Sequence, residues 1–201
     1  LDLSYVLRDE GYEDQFVYGP HAGPVEARRD HYAYELGREF IRDAAGQEDP
    51  WCLVVSTFGP HDPFVVPPEY YERYDPDAVV LPESFDDDLS GRPTVYERMQ
   101  SVWEAMDRSR FRELTACYYA YCTYLDERVG DLVDALEETG QRSETVVVFT
   151  SDHGDQLGAH GLVLKGAPAF EESYRVPLVV SHPDGPDGAV CGELVQSLDL
   201  A

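Results

Sequence analysis

The chain has 201 residues, with 40 Asp and Glu against 15 Lys and Arg, a formal net charge of −25. Such acidity makes nucleic acid and anionic membranes poor partners, because phosphate binding needs clustered cations. Hydrophobic residues at 43% and aromatic residues at 12% argue against disorder and supply a core, while no apolar run nears the ~20 residues that span a bilayer.

Fourteen of the 15 basic residues are arginine, so Lys165 is the one lysine. Enrichment in acid with lysine replaced by arginine fits a surface adapted to concentrated salt, where counterions screen carboxylate repulsion. No charged-then-apolar leader opens the sequence.

In chain order, the first predicted element is a helix from about Asp30 to Ala45, carrying Tyr34, Leu36, Phe40 and Ile41 and stopping before Gly46. Trp51 to Phe58 (WCLVVSTF) follows, short, apolar and β-branched, which predicts a buried strand. Pro60 to Pro93 is rich in Pro and Asp and predicts an extended loop with one helical turn. Its Tyr70, Tyr71 and Tyr74 either stack on an aryl or sugar group or pack the loop onto the domain; packing is the simpler reading. Leu114, Cys117, Tyr118, Tyr121, Leu125, Val129, Leu132 and Leu136 recur at spacings of three and four, the apolar face of a long helix that Gly140 stops. Thr145 to Thr150 (TVVVFT) and Pro177 to Ser181 (PLVVS) predict two more buried strands. Helix, strand, long helix, strand is the alternation of an α/β fold with a mainly parallel sheet. Cys52, Cys117, Cys122 and Cys191 form no C-x-x-C pair, which argues against a zinc site. Cys52 and Cys117 are expected as buried free thiols. The sequence starts without Met and stops inside an apolar stretch, so it is expected to be part of a larger domain.

Ligands of open α/β sheets bind beyond the carboxyl ends of the strands. Those positions hold Gly59-Pro60-His61-Asp62-Pro63 after the first predicted strand and Ser151-Asp152-His153-Gly154 after the second, the latter running on to His160 and Lys165. Asp152 and His153, adjacent in a turn, can offer a carboxylate oxygen and an imidazole nitrogen to one metal. The structural alternative is that Asp152 caps the turn and His153 is an ordinary loop residue. His61 can donate to an anionic oxygen or protonate a leaving group, or serve as a hydrogen-bonded loop histidine. Lys165 can neutralise the oxygens of a sulfate or phosphate. His160 is read either as a neighbour of the substrate or as a residue that only shapes its loop.

The stretch TVVVFTSDHGDQLGAHGLVLKGAPAFEESYRVPLVVSHP resembles the later part of the sulfatase family's catalytic domain, within the alkaline phosphatase superfamily. FGPHDPFVVPPEYY resembles the family's histidine-bearing loop, and CYYAYCTYLDERVGDLVDALEETG the helix between them. The resemblance covers most of residues 50–183 and implies part of an α/β/α sandwich and a metal-dependent ester hydrolase. Asp152 and His153 would supply half of a divalent-metal shell, calcium first, with manganese or magnesium as alternatives. His61 and Lys165 would bind the sulfate of a small-molecule ester and assist the leaving alcohol. In the family the nucleophile is a formylglycine made from a C/S-x-P-x-R motif, and further metal carboxylates come from an early Asp-Asp pair.

No C/S-x-P-x-R and no G-K-x-H occurs in the sequence, and Cys52 is followed by Leu, Val and Val. The chain is therefore expected to be an incomplete sulfatase-like catalytic domain, inert by itself. A phosphonate monoester or phosphodiester hydrolase is the alternative within the enzymes, since its substrates also present a singly charged tetrahedral group. A non-catalytic remnant or interaction module is the alternative outside them.

Overall fold

A computed structural model describes residues 4–7, 15–20, 23–24, 26 and 28–200. Strands β1 (Tyr5–Leu7) and β2 (Gln15–Pro20) pair antiparallel, and β2 pairs parallel with β3 (Phe64–Val66) in a three-stranded sheet. Its inner residues Val17, Tyr18, Phe64 and Val66 are fully buried. Helix α1 (Arg29–Ala44) and the 31-residue helix α4 (Arg108–Glu138) lie against each other. Between β3 and α4 come the short helices α2 (Pro68–Tyr71) and α3 (Thr94–Ser101). A second sheet is an antiparallel pair, β4 (Val147–Thr150) with β5 (Leu178–Ser181), joined by a long loop that contains α5 (Glu171–Tyr174).

Helix α4 is the central beam. Asp107 caps it by accepting from the Arg110 amide at 2.9 Å, worth about 1 kcal/mol. Its buried residues Leu114, Cys117, Tyr121 and Leu125 belong to the predicted face and enter the main core with Tyr34, Phe64 and Val66. At its end Gly140 takes φ +74°. The Gln141 amide then reaches Leu136 O at 2.9 Å and the Gly140 amide reaches Glu137 O at 3.0 Å, the two bonds of a Schellman stop.

α1 matches the expected helix within a residue, α4 contains the expected stripe from Leu114 to Leu136 but starts earlier, at Arg108, and α3 and α5 were not anticipated; the fold is α/β. The sheets differ from expectation. Among the described residues two of the three strand pairings are antiparallel, so a mainly parallel sheet is not what these residues form. Residues 51–58 form no strand with any partner among the described residues, and their exposure alternates: Trp51, Leu53 and Val55 face inward while Val54 is 83% exposed. Val148, Phe149, Val179 and Val180 on β4 and β5 are also exposed. Apolar β-branched runs report strand conformation; how many faces are covered depends on partners that the run itself does not encode. Cys52 is therefore exposed and not buried, whereas Cys117 is buried and free as expected.

On α1 the buried residues are Asp30, Tyr34, Gly37, Ile41 and Ala44, while Leu36 and Phe40 are exposed. The 60–93 loop contains the expected helical turn, α2, and also β3, which the proline-rich context hid. Its tyrosines pack. Tyr70 and Tyr71 are buried, Tyr70 donates to Glu127 at 2.6 Å, and Tyr74 shares a hydrogen bond with Thr123 at 2.5 Å, all against α4.

Candidate functional site

The segment 51–58 delivers the Phe58–Gly59–Pro60–His61 turn, closed by the His61 amide donating to Phe58 O at 3.1 Å. The His61 ring lies against Phe58 at 4.4 Å between centroids. Its Nδ1 faces two acceptors, Asp62 O at 2.8 Å and Asp62 Oδ1 at 3.0 Å. Nδ1 therefore carries the proton, and Nε2 presents its lone pair. That lone pair meets Lys165 Nζ, which also donates to Asp62 Oδ1 at 3.1 Å. His61, Asp62 and Lys165 thus close a ring of contacts, with the Asp62 carboxylate touching both cation-forming groups.

Lys165 is held there by the loop before it. Asp155 Oδ1 accepts the amides of Leu157 and Leu164, each at 3.1 Å, and so clasps both ends of that loop. The Gln156 amide to Leu164 O and the Gly158 amide to Leu162 O add two closures, at 2.9 and 2.8 Å. Leu157 and Leu164 sit at φ 44° and 68°, a region unfavourable for a branched side chain, which the clasp overrides. Burial pushes the Asp155 carboxyl up to about 6, against the lowering pull of the Leu157 amide, Lys165 and the Leu164 amide. Sequence reasoning passed over Asp62 and Asp155, although each stands within two residues of a chosen histidine.

Strand β4 ends at Thr150, whose hydroxyl donates to Pro177 O at 2.9 Å, and the next residues turn out of the sheet. The Ser151 hydroxyl donates to His153 O at 2.8 Å, and Asp152 Oδ1 accepts the His153 amide at 2.9 Å. Gly154 is needed here for space: a Cβ would lie 1.9 Å from Glu172 O, and its amide donates to Ser173 O at 2.9 Å. The His153 Nδ1 engages Gly154 O at 2.9 Å, which assigns its proton to Nδ1 and leaves Nε2 as a ligand atom. Nε2 stands 3.9 Å from Asp152 Oδ1. Two oxygen or nitrogen donors ~2.3–2.6 Å from one cation are at most about 5 Å apart, so this pair fits one ion. The fit is partial, because no group of three or more His, Cys, Asp or Glu forms a metal cluster among the described residues.

The structure brings three of the chosen residues together. The His61 and His153 rings approach edge to face at 6.1 Å, and Lys165 joins His61. His160 has other partners. Its Nδ1 bonds Asp87 Oδ2 at 2.8 Å, its ring stacks on Phe170 at 3.7 Å, and its carbonyl accepts from Gln100 at 2.8 Å. These contacts fasten the turn before Lys165 to Asp87 of the preceding loop, to Gln100 on α3 and to Phe170.

A sequence model of the sulfatase family matches residues 29–201. The choline-sulfatase of Rhizobium meliloti is 37% identical over 159 residues, which cover 75% of this chain and 29% of that protein. A multifunctional alkaline phosphatase superfamily protein of Trinickia caryophylli is 32% identical over 177 residues, 80% of this chain and 34% of that one. Among solved structures, the phosphonate monoester hydrolase of Silicibacter pomeroyi superposes with a TM-score of 0.75 at 24% identity, covering 93% of this chain and 39% of that one. That of Agrobacterium radiobacter gives 0.68 at 26% identity, over 81% and 34%. The chain spans about a third of the length of these relatives. By its sequence matches, the chain belongs to the sulfatase family.

Proposed function

We propose that these residues form the leaving-group side of a metal-dependent sulfatase that hydrolyses small-molecule sulfate esters. The observation that carries this reading is the contact ring of His61, Asp62 and Lys165 beside the Asp152–His153 turn. In a chain of net charge −25, the one lysine stands in this ring.

Each group has a task. The Lys165 ammonium neutralises charge on the sulfate oxygens, where a fixed cation in a partly dry site acts more strongly than in water. His61 Nε2 and Lys165 Nζ share a proton across their contact, and that proton is the one available to the departing alcohol oxygen. Asp62 keeps both groups aimed at one point. Asp152 and His153 would hold a divalent cation, calcium first by family likeness, which supplies charge neutralisation when bound. His160 shapes the loop that presents Lys165.

The nucleophile belongs elsewhere in this reading. The sequence carries no C/S-x-P-x-R, the source of formylglycine in the family, so the 201 residues alone release no sulfate. In this reading further chain covers the exposed apolar faces of residues 51–58, β4 and β5. The test is an assay of the complete enzyme on an aryl sulfate, wild type against Lys165→Ala and His61→Ala. Loss of turnover in both supports the assignment; full activity in either removes that residue from it.

A second reading is favoured by the phosphonate monoester hydrolase neighbours, whose folds align over most of this chain. A sulfate monoester and a phosphonate monoester both present a singly charged tetrahedral group to Lys165 and His61. Parallel assays on an aryl sulfate and an aryl phosphonate monoester separate the two activities.

A further inference from the structure

Asp30, in the first turn of α1, is only 3% exposed, and its carboxylate points into the core. Oδ1 accepts the backbone amides of Phe58 at 3.0 Å and Gly59 at 3.1 Å. Oδ2 accepts the Tyr121 hydroxyl at 2.6 Å and stands 3.5 Å from Arg28 Nη2. A buried carboxylate loses several kcal/mol of hydration unless such partners repay it, so an apolar residue is the easier way to fill this space. Nor does Asp30 act as the cap of α1: the N-cap position is Arg28, which makes no side-chain cap hydrogen bond, and both Asp30 oxygens accept from groups outside the first turn.

What Asp30 holds is the turn that ends in His61. Both amides on its Oδ1 belong to that turn, and the His61 amide closes it on Phe58 O at 3.1 Å. Tyr121 holds the turn from the other side. A Cβ on Gly59 would lie 2.5 Å from the tyrosine ring, so only glycine allows this approach. The Tyr121 hydroxyl then joins its own carboxylate partner, linking the two supports. The Arg28 guanidinium, 4.5 Å over the Tyr121 ring and bonded to Val65 O at 2.7 Å, braces the same group from behind.

We propose that Asp30 is a positioning residue for His61. Through the Phe58 and Gly59 amides, and with Tyr121, it sets the distance from the imidazole to Lys165. This rests on His61 handling the leaving-group proton, as proposed above. Asp30 touches neither substrate nor reacting atoms. Its signature is therefore an effect that grows as the leaving group becomes a worse one.

The test uses the complete enzyme on aryl sulfates of graded phenol acidity, comparing wild type, Asp30→Asn, Tyr121→Phe and His61→Ala. Asp30→Asn should cut kcat about 10–100-fold on the least acidic phenol and no more than ~3-fold on the most acidic, with KM little changed, as a small misplacement does. The Asp30→Asn/His61→Ala pair should be no slower than His61→Ala alone, because residues acting as a unit are not additive. In the complete enzyme, amide exchange at residues 58 and 59 should quicken in both Asp30→Asn and Tyr121→Phe while α4 stays protected. If Asp30→Asn does not fold, Tyr121→Phe carries the test, since it keeps the ring against Gly59 and removes one hydrogen bond. A uniform fall in kcat across the series, or additive losses in the double variant, would overturn the positioning role while the His61 assignment stands. A leaving-group dependence unmoved by His61→Ala would overturn that assignment and this proposal together.

Discussion

Lys165 Nζ lies 3.1 Å from Asp62 Oδ1, 103 positions earlier in the chain, and the same ammonium meets His61 Nε2. Asp62 therefore compensates the lysine when no anion is present, and a bound sulfate would share the lysine with it.

The first prediction concerns that lysine. Lys165→Ala in the complete enzyme should lower kcat by on the order of 10²-fold or more, the usual loss for one preorganised electrostatic group. Lys165→Arg should not restore it, because a planar guanidinium cannot occupy the compact position between His61 and Asp62. Steady-state kinetics on an aryl sulfate decides it, and a silent Lys165→Ala would remove the lysine from the mechanism.

The second concerns the turn that offers Asp152 and His153. Gly154→Ala keeps both donors but sets a methyl 1.9 Å from Glu172 O, so the turn must shift away from α5. Divalent-metal affinity should fall by about 10–100-fold, as it does when groups supporting the ligands are disturbed. Asp152→Ala should lower the metal content itself. Metal analysis after dialysis reads both, and unchanged metal in Asp152→Ala would sink the ligand assignment.

The third concerns pH. The hydrogen bond from His160 holds the Asp87 carboxyl below the usual carboxylate range, helped by the Leu89 amide. A depressed folded value means stability present above the unfolded value of about 3.9 and lost as pH falls through the folded one. The stability gap between wild type and Asp87→Asn in urea should therefore be present at pH 5 and narrow below about pH 4. A gap that does not narrow between about pH 5 and pH 3 would contradict the His160–Asp87 account.

The fourth concerns salt. A net charge of −25 destabilises the compact state at low ionic strength, where the Debye length grows to ~30 Å at 0.01 M from about 3 Å at 1 M. Near-UV circular dichroism should fade on dialysis to ~0.01 M salt and return when about 1 M is restored. An unchanged spectrum would tie the composition to something other than salt.

Much of the fold was legible. The spacing of Leu114, Cys117, Tyr121, Leu125 and Leu136 identifies α4 because a helix buries one stripe, and the stripe is written in the sequence. β4 and β5 were found from their β-branched runs, and Gly140 marked the stop of α4. β1, β2 and β3 were all missed: β1 and β3 are three residues long and carry no period to read, and the six residues of β2 run into Gly19-Pro20, which reads as a turn. Cys52 was misplaced because one face of residues 51–58 packs on the core and the other does not, a difference that depends on neighbours.

Sequence alone selected His61, Asp152, His153 and Lys165, since strand ends followed by titratable residues and a solitary lysine are local signals. Only the tertiary structure brought Asp62 between His61 and Lys165, and put Asp30 under the Phe58 and Gly59 amides, 28 and 29 positions away. The reason is physical. A side chain's chemistry is intrinsic and can be read in isolation, but a hydrogen bond works over about 3 Å, and only folding sets such distances.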